Sequence, residues 1–375
     1  VKLFQCQCCG QVLHFENTEC LRCGRKLGYA PEKDEMIAVE PDGPVWSAAL
    51  PDGSLPGTMP GPDRWRFCKN WELSACNWMV PATKEDAHDE YCLACRHNRT
   101  VPDLSDPGNM EKWLKIEAAK RRLIYTLIHL GLPMPVAGDG HPEPLVFDFL
   151  ADPPDAAQRV LTGHADGVVT IALTEADDAI REKMRTEMGE NYRTLLGHFR
   201  HEVGHYYWDI LVRDGGALEP FREMFGDERA DYGQALQNHY LNGAPPDWPL
   251  HFVSSYATMH PWEDWAETWA HYLHMIDTLE TAAAFGMHID PDIDDEGEMS
   301  ADIDFDPYRV RKAERLIAAW MPLTVALNAL NRSMGQSDSY PFALPLPVQE
   351  KLGFVHRLVS SVRTGGVATP AQAAQ

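Results

Sequence analysis

Two histidines and a glutamate, in the run His201-Glu202-Val203-Gly204-His205, are the residues of this chain best spaced to do chemistry. On a helix, positions four apart lie one turn apart on the same face. His201 and His205 can then hold one zinc ion between their imidazoles, and Glu202 sits where it can take a proton from a metal-bound water. A catalytic zinc uses three protein ligands and leaves its fourth position to water. The third ligand must come from elsewhere. The longer pattern H-E-x-x-H-x-x-G-x-x-H is ruled out, because Trp208 stands at its glycine position and Leu211 at its last histidine.

The candidate for that ligand lies in Trp262-Glu263-Asp264-Trp265-Ala266-Glu267. Pro261 is well placed as the first residue of a helix. Glu263 and Glu267 are four apart and share a face. Among Trp262, Trp265, Trp269 and Tyr272, two carboxylates on a buried face need partners. Glu263 as zinc ligand and Glu267 as acceptor for a zinc-bound imidazole would satisfy both. His260, His271 and His274 are the rivals, and a solvated acidic helix face is the plain alternative. Asp209, one turn past His205, either orients an imidazole or sits on the helix surface.

The nine cysteines all precede residue 96. Cys6 and Cys9 form one C-x-x-C pair, Cys20 and Cys23 another, and Gly10 and Gly24 follow the pairs. Such glycines suit the tight turns that point backbone amides at thiolate sulfur. This spacing predicts a zinc ribbon whose closed four-thiolate site stabilises a fold too small for its own core. Cys8 is surplus and reads as a bystander. Cys68, Cys76, Cys92 and Cys95 predict a second structural zinc; His88 and His97 could substitute, but four thiolates already complete a tetrahedron. The expected metal content is thus three Zn2+, one catalytic and two structural. Reduced metal-binding thiols imply a cytoplasmic setting.

The net charge of -23 leaves no broad basic surface for phosphates, so no nucleic-acid partner is expected. Lys120-Arg121-Arg122, the one compact basic run, reads as a solvated helix face. No apolar run reaches the length of a membrane span, so no membrane partner is expected either.

The elements that must position these residues follow from periodicity and punctuation. Residues 1–40 form the ribbon, the Pro- and Gly-rich residues 41–63 a linker, and 64–104 the second cysteine module. Residues 105–365 form the main domain and 366–375 a flexible tail. Within the main domain, helices are expected near 106–130, 175–188, 191–212, 219–241, 261–284, 308–334 and 347–363, with strands near 145–150 and 168–173. The fold class is α+β, mostly helical, with a small sheet.

The pairing of His201-Glu202-Val203-Gly204-His205 with Glu263 and Glu267 resembles the gluzincin metallopeptidases. Tyr256, seven residues before Glu263, is similar to the tyrosine of the anthrax lethal factor-like branch. That resemblance implies that Tyr256 donates its hydroxyl to the oxyanion. The whole chain, with its cysteine modules in front, resembles bacterial zinc-ribbon-bearing zinc metallopeptidases. It implies a zincin-like domain, a peptide or protein substrate, and hydrolysis by zinc-activated water with Glu202 as base. It also implies that the strand at 168–173 is an edge that pairs with extended substrate. The cysteine modules are expected to recruit that substrate or a protein partner. Two other readings stay open: a partner-binding protein with a degenerate zincin site, and a zinc amidohydrolase acting on a non-peptide amide.

Overall fold

The computed structural model describes residues 1–50, 64–82, 90–153, 159–187 and 194–363. The cysteine-rich region is built from strands. β1 (Phe4–Gln5) and β2 (Val12–Leu13) form a hairpin. β3 (Lys26–Ala30), β4 (Glu35–Asp42), β5 (Val45–Ala48), β6 (Arg64–Phe67) and β7 (Met79–Pro81) form one antiparallel sheet in sequence order. Two expectations change here. Strands β4 and β5 occupy 41–48, which the Pro and Gly content assigned to a linker, while 51–63 lies outside the described residues. The two cysteine modules also share a single sheet rather than folding side by side. β4 buries Met36, Ile37, Ala38 and Val39 in succession, so it shows no alternation for a sequence pattern to find.

β8 (Asn98–Thr100) leads into α1 (Pro107–Leu130), capped by Asp106, whose side chain accepts from Gly108 N at 2.7 Å. The second sheet has the order β10-β11-β9-β8, with β9 at Val146–Leu150, β10 at Gly163–Ala165 and β11 at Val168–Ala172. β8, β9 and β11 run parallel, and β10 turns back antiparallel along β11. The strand expected at the edge is therefore interior. The hairpin at Asp166 and Gly167, both at positive φ, puts β10 outside it.

The remainder is helical: α2 (Asp178–Glu187), α3 (Leu195–Trp208), α4 (Leu218–Phe225), α5 (Tyr232–Asn242), α6 (Pro261–Ala284), α7 (Ala313–Ser333) and α8 (Leu346–Arg363). A two-stranded bridge, β12 (His288–Ile289) with β13 (Ala301–Asp302), joins α6 to α7. The expected helix at 219–241 is two helices. Gly226, at φ 103°, ends the first, and Asp231 caps the second by accepting from Gln234 N. The metal-motif helix is shorter than expected: α3 gives way to a π-helical turn over Asp209–Arg213. Among the described residues, no helix is long and apolar enough to cross a membrane. The tail after 365 lies outside them.

α1, α3 and α6 are locked together by buried polar contacts. Arg200 on α3 pairs with Asp277 on α6, and Thr126 on α1 donates to the same carboxylate at 2.6 Å. The basic run on α1 is not a solvated face. Lys120 is 0% exposed and Arg121 is 7% exposed. Lys120 pairs with buried Glu117 at 2.9 Å, and Glu117 reaches Cys95 Sγ at 3.8 Å. The cysteine sulfurs and Glu117 offset the cost of burying these cations. Only Arg122 faces solvent, paired with Glu16.

The Arg200–Asp277 pair gives a stability prediction. Asp277→Ala leaves a buried guanidinium without its carboxylate, which costs roughly 3–5 kcal/mol. Chemical denaturation should show that loss. A change below about 1 kcal/mol would mean that the three helices do not depend on this contact.

Candidate metal centre

α3 and α6 meet where α3 carries a glycine. A Cβ on Gly204 would lie 3.1 Å from Ala266 Cα and 3.2 Å from Trp269 Cδ1. The missing side chain lets the two helices approach closely, and Trp265 Nε1 donates across the gap to Gly204 O at 2.8 Å. α3 is started by Thr194, whose hydroxyl accepts from Gly197 N. α6 is started by His260, whose Nδ1 accepts from Trp262 N at 3.1 Å, with Pro261 in the first turn.

The crossing brings His201, His205 and Glu263 together, with one ligand atom from each inside a 4.8 Å group. His201 Nε2 lies 2.9 Å from Glu263 Oε2, and His205 Nε2 lies 3.5 Å from Glu263 Oε1. The other face of His201 is already committed: its Nδ1 meets Glu267 Oε1 at 2.6 Å. Ser254 donates to Glu267 Oε2 at 2.6 Å and fixes that carboxylate in turn. His201 is therefore held with Nε2 turned inward. Two imidazole nitrogens and one carboxylate, His201 half-buried and the other two buried, converge and match the donor set of a zinc site with an open position.

The rivals for the third position are engaged elsewhere. His260 spends Nδ1 on its cap, and its Nε2 meets Ala230 O at 3.0 Å. His271 Nδ1 meets Tyr340 Oη at 2.8 Å, and burial pushes its pKa down to about 4. His274 packs its ring against Trp320 and Tyr340. Asp209 accepts from Arg213 at 2.9 Å and is buried, so it is neither a surface residue nor bonded to His205.

Glu202 is buried beside the three, and desolvation lifts its carboxyl above the usual range. It lines a cleft of about 780 Å³ together with His201 and Tyr256. Tyr256 sits in a short 3-10 turn, with its ring 6.0 Å from that of His201. Burial, then the charge of Glu263, pushes its hydroxyl far up, so it stays a neutral donor. Tyr232, which the sequence did not flag, also reaches the centre: its hydroxyl donates to Glu263 Oε1 at 3.0 Å. The cap signal Asp231-x-x-Gln234 could have marked the start of its helix.

Both cysteine sets close. Cys6 and Cys23 sulfurs are 3.8 Å apart, Cys9 and Cys20 3.5 Å, and Cys76 and Cys92 3.6 Å. A zinc tetrahedron with ~2.3 Å bonds has edges of ~3.8 Å. Cys68 and Cys95 complete the second group. Gly10 and Gly24 take positive φ and donate back to Cys6 O and Cys20 O, as the tight turns require. Cys8 stays outside the first group and donates to Ala49 O at 3.3 Å. His97 is buried near Leu145 O and belongs to neither set. His88 lies outside the described residues.

Residues 109–358 match a family described as "putative zinc-binding metallo-peptidase", and residues 3–106 match a zinc-ribbon domain. Uncharacterized proteins of Mycobacterium bovis and Mycobacterium tuberculosis are 41% identical over 361 residues, covering 96% of this chain and 95% of theirs. No solved structure matches the chain.

The helix crossing is directly testable. Gly204→Val adds branched bulk against Ala266 and Trp269, and such overpacking costs ~1–3 kcal/mol. Gly204→Ala gains ~1 kcal/mol of helix propensity against a smaller clash. Thermal or denaturant unfolding should therefore separate the two variants. Equal stability of wild type and Gly204→Val would contradict the close approach.

Proposed function

The chain belongs to the zinc-binding metallo-peptidase family, and on that premise we propose that it hydrolyses peptide bonds with His201, His205 and Glu263 as the ligands of a catalytic zinc. The observation that carries this reading is the convergence of those three side chains beside buried Glu202, which lines an open cleft together with His201. We assign the domain to the zincin-like class. Its support is a mixed sheet with one antiparallel edge strand lying over the metal-motif helix.

Bound zinc supplies the Lewis acidity that activates water and polarises the scissile carbonyl. Glu202 takes the proton of the attacking water and later delivers it to the leaving amine. Tyr256 donates to the oxyanion that develops on the carbonyl, a contribution typically worth ~3 kcal/mol. Glu267 and Ser254 hold His201 in the productive tautomer. β10, with 160–162 before it, takes over the substrate-pairing role first expected of the strand at 168–173.

Two further zinc ions complete the reading, one on Cys6, Cys9, Cys20 and Cys23 and one on Cys68, Cys76, Cys92 and Cys95. Four thiolates on one zinc leave a charge of about −2, which suits the buried Lys120 and Arg121 beside the second set. A reducing compartment such as the cytoplasm would keep these thiols as ligands. The cysteine modules offer a surface for presenting a protein substrate.

Metal analysis tests the ligand set. Protein purified without chelator should hold three zinc ions. Glu263→Ala should lose one of them, and Glu267→Ala should weaken that same ion by roughly 10–100-fold. Full occupancy in Glu263→Ala, with loss in His271→Ala, would assign the third ligand to His271 instead.

Activity tests the chemistry. Glu202→Gln should keep its zinc and abolish hydrolysis. Tyr256→Phe should keep zinc and lose ~10²–10³ in turnover with little change in KM. Identical product profiles for wild type and Glu202→Gln on a broad peptide library would remove the peptidase reading and favour a partner-binding protein.

A further inference from the structure

Helix α5 packs less deeply than α1, α3, α4, α6, α7 and α8, each of which buries two residues or more. It has 11 residues and buries none of them. A short helix in water is marginal unless one face is covered. α5 hangs between two positive-φ glycines, Gly226 and Gly243. Its ties to the body lie at its start and over the metal centre. Tyr232 donates to Glu263, its ring packs 5.3 Å from that of His260, and His239 packs edge-on against Tyr256 at 5.9 Å.

The side chains α5 turns inward are Tyr232, Leu236 and Tyr240, spaced i, i+4 and i+8 on one face. All three line the cleft that holds His201 and Glu202. This stripe carries no charge, and Tyr240 is 64% exposed. Residues 160–162, which run into edge strand β10, line the same cleft, and Leu161 there is 81% exposed. The helix stripe and the segment 160–162 that leads into β10 therefore border one space, which Arg159 and Asp152 also line and which reaches the candidate metal centre at His201.

We propose that α5 is the selecting wall of the cleft: its Tyr232–Leu236–Tyr240 stripe receives bulky apolar side chains of an extended peptide lying along β10. This inference rests on the peptidase reading and names its substrate class. Tyr232 fixes the scale, because its hydroxyl touches the ligand carboxylate. Leu236 lies ~6 Å and Tyr240 ~12 Å further along the helix axis. An extended peptide advances ~3.3 Å per residue and turns alternate side chains to one face. The stripe therefore spans three to four peptide residues on one side of the scissile bond and reads every second one. A charged side chain there would lose its water against an uncharged wall and be disfavoured.

The probe is a library of blocked decapeptides that differ at the residues flanking one central bond, with apolar, acidic and basic members. Zinc-loaded wild type should cleave the apolar members, at a kcat/KM at least tenfold above the acidic ones. Leu236 lines the cleft but is only half-buried, so Leu236→Arg should keep its zinc and melting temperature. It should lose 10–100-fold on apolar members, mainly in KM, and reverse its preference towards acidic ones. Tyr240→Ser should lose the outer position of the preference alone. A wild type that cleaves in a Glu202-dependent way, with the same profile in Leu236→Arg and Tyr240→Ser, would overturn the inference and leave the peptidase reading intact.

A second readout does not need turnover. Glu202→Gln should capture apolar members of the library, and Glu202→Gln/Leu236→Arg should not. Such capture without wild-type hydrolysis would support the wall while removing the peptidase reading. Failure to enrich apolar members in either readout would overturn the wall.

Discussion

The close approach of α3 and α6 at Gly204 is the constraint on which the rest of this structure depends. No ligand atom of the candidate centre is placed by a loop alone. His201 and His205 come from one helix, Glu263 and Glu267 from the other, and the spacing between them is set by a glycine against Ala266. A side chain of ordinary size at 204 would push the axes apart and open the gap that His201, His205 and Glu263 now share. The contacts around the crossing serve the same end. Trp265 bonds across it, and Arg200 with Asp277 ties both helices to α1. Sites built on packed helices hold their geometry better than sites on loops.

The cysteine-rich region is tied to this frame through α1. Lys120 and Arg121 leave the solvent to face the second sulfur set, and Arg121 also donates to Ala75 O. Phe15 and Tyr29 pack against Tyr125 of the same helix. The two regions thus share a continuous core across the boundary between their family matches. Charge on the second cysteine set is felt by a helix that also anchors the metal-motif helix. This gives the cysteine sets a structural consequence beyond their own strands.

How much was legible in the sequence follows from the range of each interaction. His201, Glu202 and His205 are local, because a four-residue spacing on a helix fixes them by itself. Glu263 and Glu267 were legible at one remove, as carboxylates among tryptophans that needed partners. The α6 bounds, 261–284, emerged as expected because Pro261 and the aromatic period agree. Tyr232 is hidden in the sequence, because the cap signal at Asp231 and Gln234 marks the start of a helix and not a residue that reaches the centre. Lys120 and Arg121 were misplaced because burial of a cation is set by partners distant in sequence. The five-stranded sheet was missed since its longest strand is covered on both faces and its neighbours are interrupted by Pro and Gly. β10 replaced β11 at the sheet edge because a three-residue strand leaves almost no periodic trace.

The measurement that bears most directly on the crossing and its metal is anomalous diffraction at the zinc edge from crystals of the full chain. The account predicts a peak bonded to His201 Nε2, His205 Nε2 and a Glu263 oxygen at ~2.0–2.2 Å, with Glu202 unbonded beside it. A peak held instead by His260, His271 or His274, or zinc at the cysteine sets with no peak between α3 and α6, would contradict it.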